Sequence, residues 1–201
     1  MPVDPNIYNA SYYKTSNYAD YLERADRYKR TATEISSLLR NLSLIDDQST
    51  ILDYGCATGF LMDGLKAAGH KSVAGFEISK WATEEARGRG HLILTEVELI
   101  PTIGSIDLMI ALDVFEHMDD NSILNVLDHS NPKALLVRIP SSTDGGKSFH
   151  LEISKQDPTH INCKTKEQWI KFFREFGYQT FLRLNLYTVY DTPGVSCLLI
   201  L

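Results

Sequence analysis

From Thr50 onward, short apolar runs alternate with stretches of helical periodicity, and this alternation limits the possible folds more than any other feature. Apolar runs of roughly four to eight residues bounded by turn residues are typical of buried strands. Strands separated by helices pair in parallel, because a parallel pair needs a crossover connection. We therefore predict a doubly wound α/β domain with a mainly parallel sheet. Its predicted strands are residues 50–54, 72–77, 91–95, 106–113, 133–140, 179–186 and 194–201.

Helical periodicity fills the intervals between these strands. The predicted helices lie near residues 59–68, 79–88, 120–129 and 166–176. The last helix carries the clearest signals, because Thr165 and Gln168 form a capping box and Gly177 supplies a C-terminal stop. The final two strands are joined by a short polar stretch that has no room for a helix, so we expect them to pair antiparallel.

The chain divides into an N-terminal extension and one larger domain. Residues 1–45 are predicted to form a helical extension, since residues 18–42 become helical with Ile35, Leu38, Leu39 and Leu42 on one face. Residues 46–201 form the α/β domain. One long irregular stretch, residues 141–164, follows the fifth strand, and such stretches in compact domains are usually functional or mobile.

The composition indicates where the protein is located and which kinds of partner it binds. The chain has 201 residues and a formal net charge of −6. It shows neither a signal peptide nor an apolar run long enough for a membrane helix. The three cysteines are far apart and form no Cys-x-x-Cys pair. We expect a cytoplasmic protein with no membrane association, and the acidic charge argues against nucleic acid as its main partner.

The segment Asp53-Tyr54-Gly55-Cys56-Ala57-Thr58-Gly59 carries the strongest functional signal. A buried strand runs into a tight glycine turn that opens a helix. Gly55 lets the chain reverse, and the small Ala57 lets a ligand approach the backbone. The spacing differs from the Gly-x-Gly-x-x-Gly of dinucleotide folds, and no phosphate-binding Lys-Ser/Thr pair follows.

Glu77 ends the second predicted strand. An acidic side chain at this position of a nucleoside-binding α/β fold accepts both hydroxyls of a ribose. The alternative is a solvated carboxylate, or a partner for the N-terminus of the next helix. Its combination with the glycine turn favours ribose binding.

Together these segments resemble the class I S-adenosylmethionine-dependent methyltransferases. Residues 53–59 are similar to the first motif of that superfamily, with Ala57 in place of a glycine, and Glu77 matches its acidic ribose residue. Glu96-Val97-Glu98-Leu99-Ile100-Pro101 resembles the adenine-contacting motif, with Glu96 replacing an aspartate. Residues 107–117, which end in Asp113-Val114-Phe115-Glu116-His117, resemble the fourth-strand motif, and residues 131–137 resemble the fifth.

The resemblance implies a Rossmann-like methyltransferase fold of seven strands with the last one antiparallel, and S-adenosylmethionine as cofactor. It also implies that the N-terminal extension covers the cofactor. The predicted cofactor-binding residues are Tyr13, Asp53, Gly55, Cys56, Ala57, Gly59, Glu77, Ile78, Glu96, Val97 and Asp113. For Tyr13, packing of the first helix on the sheet is an open alternative.

The sulfonium already activates the methyl group, so the protein mainly has to align donor and acceptor and exclude water. We expect transfer to an oxygen or nitrogen of a small-molecule acceptor. The motifs of amino-group and cytosine-C5 DNA methyltransferases are missing. His160 and Asp113 are the catalytic candidates. For His160 a loop-anchoring role is equally open, Asp113 could instead cap the turn after its strand, and Glu116 and His117 are expected to interact locally beside the pocket.

No metal is expected, because His150, Asp157 and His160 lack a compact ligand spacing. Two other functions compete with methyl transfer. One is a non-catalytic S-adenosylmethionine-binding protein with a regulatory or partner role. The other is a nicotinamide-dependent dehydrogenase, which the glycine spacing disfavours.

Overall fold

The computed structural model describes residues 5–14 and 20–201. Its α-helices are α1 (Ala25–Asn41), α2 (Phe60–Ala67), α3 (Lys80–Gly88), α4 (Asp120–Ser130), α5 (Glu152–Lys155) and α6 (Lys166–Phe176). Its strands are β1 (Thr50–Tyr54), β2 (Ser72–Phe76), β3 (Leu92–Leu94), β4 (Leu108–Leu112), β5 (Ala134–Pro140), β6 (Phe181–Arg183) and β7 (Val195–Ile200).

The seven strands form one sheet in the order β3-β2-β1-β4-β5-β7-β6. Strands β1 to β5 are parallel, whereas β7 runs antiparallel to both β5 and β6. The order reverses at β1, because β2 lies on one side of it and β4 on the other. Ligands of open α/β sheets bind outside the carboxyl ends of the strands at such a switch point. The predicted fold, including the antiparallel last strand, is confirmed.

Apolar side chains cover both faces of the sheet. One cluster packs Ile35 and Leu39 of α1 and Leu65 of α2 against β1 and β4. The opposite cluster packs Trp169 and Phe173 of α6, together with side chains of α4, against the other face. Helices α1 and α2 approach closely at Gly64, where a Cβ atom would lie 2.6 Å from the Ala32 Cβ.

The locally encoded elements match their predictions. Strand β1 and helix α6 have the predicted bounds. The Thr165 side chain accepts the Gln168 amide N–H, and the Gln168 side chain accepts the Thr165 amide N–H, so the capping box is present. The 141–164 segment is irregular apart from the single turn of α5.

Three predicted features differ from the structure. The α-helix of the extension begins only at Ala25, after a short 3₁₀ turn at Tyr21–Arg24, and residues 15–19 lie outside the described part of the chain. Leu42 is 48% exposed because it lies just beyond the end of α1. Strand β6 is shorter than predicted, because the chain folds back on itself where the Leu186 N–H donates to the Val189 carbonyl. Among the described residues, no helix combines the length and apolar character that crossing a membrane requires.

Candidate active site

The glycine turn leaves β1 at the carboxyl edge of the sheet. Gly55 has φ +78°, a conformation that residues with a Cβ rarely adopt. The Gly55 and Cys56 amides donate to the Phe76 carbonyl at 2.9 and 3.1 Å, which ties the turn to the end of β2. A Cβ on Gly55 would lie 2.5 Å from Val114 Cγ2. The position therefore needs glycine both for its backbone angle and for its contact with the turn after β4.

Glu77 is buried beside this turn, with 5% of its surface exposed. One carboxylate oxygen accepts the Ala57 N–H at 2.9 Å and the other accepts the Ser79 N–H at 2.7 Å. Burial raises the pKa of Glu77, and these backbone hydrogen bonds oppose that shift. A carboxylate has about four lone-pair sites, so these bonds leave acceptor capacity for a ligand. Glu77 thus joins the glycine turn to the start of α3 and also borders the cavity.

Asp53 is the second buried carboxylate at this edge. It is 4% exposed, and its Oδ2 has no hydrogen-bond partner among the described residues. Burial, followed by the charge of Glu77, raises the pKa of Asp53 to about 7. A buried carboxylate with an unsatisfied oxygen is suited to a cationic or hydrogen-donating ligand group.

These residues open onto a cavity of about 530 Å³. Most of the predicted site residues line it: Tyr13, Asp53, Gly55, Cys56, Ala57, Glu77, Ile78, Val97, Asp113 and His160. Gly59 and Glu96 are not part of the lining. Gly59 is the N-cap of α2 and lies against the His91 ring, and Glu96 is exposed at the start of a 3₁₀ turn.

The N-terminal extension contributes aromatic side chains to the same cavity. Tyr13 is 6% exposed, and its ring centroid lies 5.1 Å from that of Trp81 and 5.2 Å from that of Tyr21. The Ser79 hydroxyl donates to the Tyr8 carbonyl, which fastens the extension to the N-terminus of α3. Tyr13 was predicted from the sequence, whereas Tyr8, Tyr21 and Tyr28, which also line the cavity, were not. Their only sequence signal was the tyrosine-rich composition of the extension.

Asp113 follows β4 with φ +58° and forms an ion pair with Arg138 of β5, Oδ2 to Nη1 2.6 Å. The Asp113 N–H also donates to the Arg138 carbonyl at 2.7 Å. The pair is half-buried at the cavity wall, so the Asp113 carboxylate faces the cavity with its charge paired to the Arg138 guanidinium.

The far end of the cavity brings together Glu116, His117, Asp157 and His160. Glu116 is fully buried, and its backbone carbonyl accepts the N–H groups of Ile161 and Asn162 at 2.8 and 2.9 Å. These two bonds fasten the 141–164 segment beside the turn after β4. Burial lowers the pKa of His160 and lowers that of His117 to about 4. Both imidazoles are therefore neutral at pH 7.

Asp157 is the nearest carboxylate to the His160 ring. Its Oδ2 lies 3.7 Å from His160 Nε2, and its Oδ1 accepts the Thr159 hydroxyl at 2.5 Å. Glu116 and His117 were predicted to interact locally beside the pocket, and His117 Nε2 lies 3.8 Å from Glu116 Oε1. Both residues also line the cavity together with His160, which the Asp-x-x-Glu-His spacing could have indicated.

A glycine turn and an acidic residue at the carboxyl ends of the first two strands of this sheet define the class of Rossmann-like S-adenosylmethionine-dependent methyltransferases. The sequence profile of the family described as "Methyltransferase domain" matches residues 21–181. The chain belongs to that family. It is an enzyme with S-adenosylmethionine as its cofactor, so the predicted class and cofactor are confirmed.

Solved structures show the same fold. A methyltransferase from Clostridium acetobutylicum ATCC 824 is 16% identical, with 94% of this chain and 98% of that chain covered at a TM-score of 0.65. A methyltransferase from Archaeoglobus fulgidus is 15% identical, with 90% and 98% covered at a TM-score of 0.62. Magnesium protoporphyrin IX methyltransferase from Synechocystis PCC 6803, solved with bound SAH, is 18% identical, with 94% and 95% covered at a TM-score of 0.60. A comparison with curated protein sequences gives no significant match.

Proposed function

We propose that the chain transfers the methyl group of S-adenosylmethionine to an oxygen or nitrogen of a small-molecule acceptor. The supporting observation is that one cavity joins two chemically different ends. The glycine turn and the two buried carboxylates lie at one end, and neutral histidines lie at the other. A volume of about 530 Å³ falls within the usual range for small-molecule pockets, and the charge of −6 disfavours a polyanionic acceptor.

In the proposed reaction a lone pair of the acceptor forms a bond to the methyl carbon. The carbon–sulfur bond breaks, and its electron pair goes to sulfur, which gives neutral S-adenosylhomocysteine. The acceptor's proton passes to a base or to water. Alignment of donor and acceptor supplies ~7–11 kcal/mol in well-oriented reactions, more than the ~3–5 kcal/mol of a single general base. The walls of the cavity therefore matter more to the rate than any one side chain.

We assign the cofactor to the end of the cavity at β1 and β2. Glu77 would accept the ribose hydroxyls with the lone pairs that the Ala57 and Ser79 amides leave free. Ile78 and Val97 would contact the adenine, and Tyr13 would cover the cofactor from the extension. Asp113 would act as part of its ion pair with Arg138, which positions polar groups of the bound molecules.

The 141–164 segment would form the acceptor side, with His160 as the polar contact. As a neutral imidazole, His160 can accept the acceptor's proton. If it is the base, His160→Ala should lower turnover by ~10²-fold or more and leave the affinity for S-adenosylhomocysteine almost unchanged.

This proposal is tested with labelled S-adenosylmethionine and a panel of hydroxyl- and amine-bearing small molecules. His129→Ala is the matched control, because His129 lies on α4 and does not line the cavity. Near-normal turnover of His160→Ala with the true acceptor would eliminate the base role. Lower thermal stability without a kinetic defect would assign His160 to anchoring the segment.

A further inference from the structure

Three side chains at the acceptor end of the cavity converge on one point. Glu116, His117 and His160 each offer one potential ligand atom, and these atoms all lie within 4.8 Å of one another. We propose that they bind one divalent transition-metal ion. All three side chains line the cavity, so a bound ion would face the space assigned to the acceptor. With the ion bound, the His160 lone pair is held by the metal, and the acceptor's proton passes to water instead of to His160.

The Glu116 carboxylate is the first reason for this assignment. The residue is 0% exposed, and neither carboxylate oxygen has a hydrogen-bond partner among the described residues. The nearest basic atoms are Nε2 of His117 at 3.8 Å and Nε2 of His160 at 4.0 Å from Oε1. Burial of an unsatisfied carboxylate is costly, and buried carboxylates are normally paired with a charge or coordinate a metal. A cation at this point satisfies the carboxylate.

The hydrogen bonds around His117 involve Nδ1 and leave Nε2 available to bind a metal ion. The Thr159 hydroxyl donates to Asp157 Oδ1 at 2.5 Å, because a carboxylate cannot donate. With Nδ1 of His117 protonated, the Thr159 oxygen accepts from Nδ1–H at 2.8 Å, and the Tyr8 hydroxyl oxygen lies 3.3 Å from the same nitrogen. The Nε2 lone pair of His117 then points toward Glu116. This arrangement matches the usual way in which a metal-binding histidine is fixed through its second ring nitrogen.

His160 completes the set from a distant part of the chain. Its ring centroid lies 4.6 Å from that of His117, with the rings at 75°. The bonds from the Ile161 and Asn162 amides to the Glu116 carbonyl hold the segment in this position. The Asn162 side chain adds bonds of 2.8 and 2.9 Å to Met118 and Asp120. The fold thus fixes His160 against the other two ligands.

The donor set indicates the kind of ion. Zinc–nitrogen bonds are ~2.0–2.1 Å long, so tetrahedral ligand atoms lie about 3.4 Å apart. The observed separations need only small side-chain rotations to reach that value. Two imidazoles and one carboxylate favour Zn²⁺, Co²⁺ or Fe²⁺ over Mg²⁺ and Ca²⁺, which prefer oxygen. Three protein ligands leave a position open for an exogenous ligand.

The proposed metal site differs from the sequence-based expectation of no metal. The candidate ligands in that prediction were His150, Asp157 and His160. In the structure His150 contacts Thr143 and Gly194 instead of the cluster, and Asp157 lies beside His160 as its carboxylate neighbour. The proposed set instead includes Glu116 and His117, which are distant from His160 in the sequence.

The experiment titrates Zn²⁺ and Co²⁺ into the full-length, chelator-treated protein, with and without S-adenosylhomocysteine. We expect one ion per chain by calorimetry and elemental analysis, and visible absorption bands from Co²⁺. Glu116→Gln, His117→Ala and His160→Ala should each weaken binding by at least about 10-fold. His129→Ala and Cys163→Ser are the controls, because neither residue belongs to the cluster. Melting curves of the metal-free variants show whether each one is folded, and Glu116→Gln preserves the side-chain shape.

Binding of less than one ion per chain, or equal affinity in the folded Glu116→Gln variant and the parent, would overturn the proposal. Loss of binding in Cys163→Ser but not in His160→Ala would also overturn it, because that result would place the ion elsewhere. The titration requires neither acceptor nor turnover. Its failure would therefore leave the proposed methyl transfer standing.

Discussion

At the scale of single residues, Asp53 and Glu77 are two buried carboxylates that differ in their hydrogen bonding. Glu77 is held by two backbone amides, whereas Asp53 has an oxygen with no hydrogen-bond partner among the described residues. Each carboxylate is desolvated at the ends of adjacent strands. The two therefore respond differently to substitution and to pH.

Glu77→Ala should weaken binding of S-adenosylmethionine by ~10-fold or more, since charge-assisted hydrogen bonds are worth roughly 1.5–3 kcal/mol. Calorimetric titration measures the dissociation constant. Glu84→Ala is the matched control, because Glu84 is an exposed glutamate on α3. An unchanged dissociation constant in a folded Glu77→Ala protein would disprove the ribose assignment.

Asp53 should make the cofactor-free protein less stable as pH rises. Its pKa is about 7 in the folded chain against the ordinary 3.8, so between pH 4 and pH 7 the folded state holds a proton that the unfolded state has lost. Asp53→Asn removes this effect. The free energy of unfolding of Asp53→Asn minus that of the parent should therefore increase between pH 4 and pH 7. The increase should be at most ~4 kcal/mol, which corresponds to three pKa units at 1.36 kcal/mol each.

Urea unfolding at several pH values checks the Asp53 prediction. Asp26→Asn is the control, because its side chain is 97% exposed. If the stability difference between Asp53→Asn and the parent does not change with pH, Asp53 is not protonated in the folded state.

At the scale of elements, the β1–α2 turn depends on its first glycine. Gly55→Val should abolish cofactor binding and lower the melting temperature, because φ +78° disfavours a branched residue and its Cβ would meet Val114. Gly90→Val is the matched control. Gly90 has φ +82°, but a Cβ there meets nothing within 4 Å. A folded Gly55→Val protein that still binds tightly would mean that the cofactor lies elsewhere.

At the scale of the whole molecule, the site is assembled from three regions of the chain. The extension supplies tyrosines, the strand ends supply carboxylates, and the 141–164 segment supplies His160. Tyr13 is the contact that links the extension to the predicted cofactor end.

Tyr13→Ala should weaken binding of S-adenosylhomocysteine by about 3–10-fold, in line with the ~0.5–1.5 kcal/mol of an aromatic contact. The fold should persist, because the two core clusters on the faces of the sheet do not include Tyr13. Tyr187→Ala is the control, since Tyr187 is 79% exposed. Unchanged affinity would indicate that Tyr13 only packs the extension on the domain.

The sequence by itself determined the features that depend on near neighbours. The bounds of β1 and α6, the capping box at Thr165 and the glycine turn at Gly55 follow from hydrophobic periodicity and from hydrogen bonds over a few residues. Turn chemistry and strand–helix alternation also indicated the parallel sheet and its carboxyl edge. Most residues predicted from these local signals line the cavity.

Only the tertiary structure decided which distant side chains meet. The Asp113–Arg138 ion pair depends on β4 and β5 lying side by side. The full burial of Glu116 beside His160 depends on backbone hydrogen bonds between the turn after β4 and the 141–164 segment. No local periodicity encodes such contacts, because their free energy arises only after the sheet order has brought both segments to the same edge.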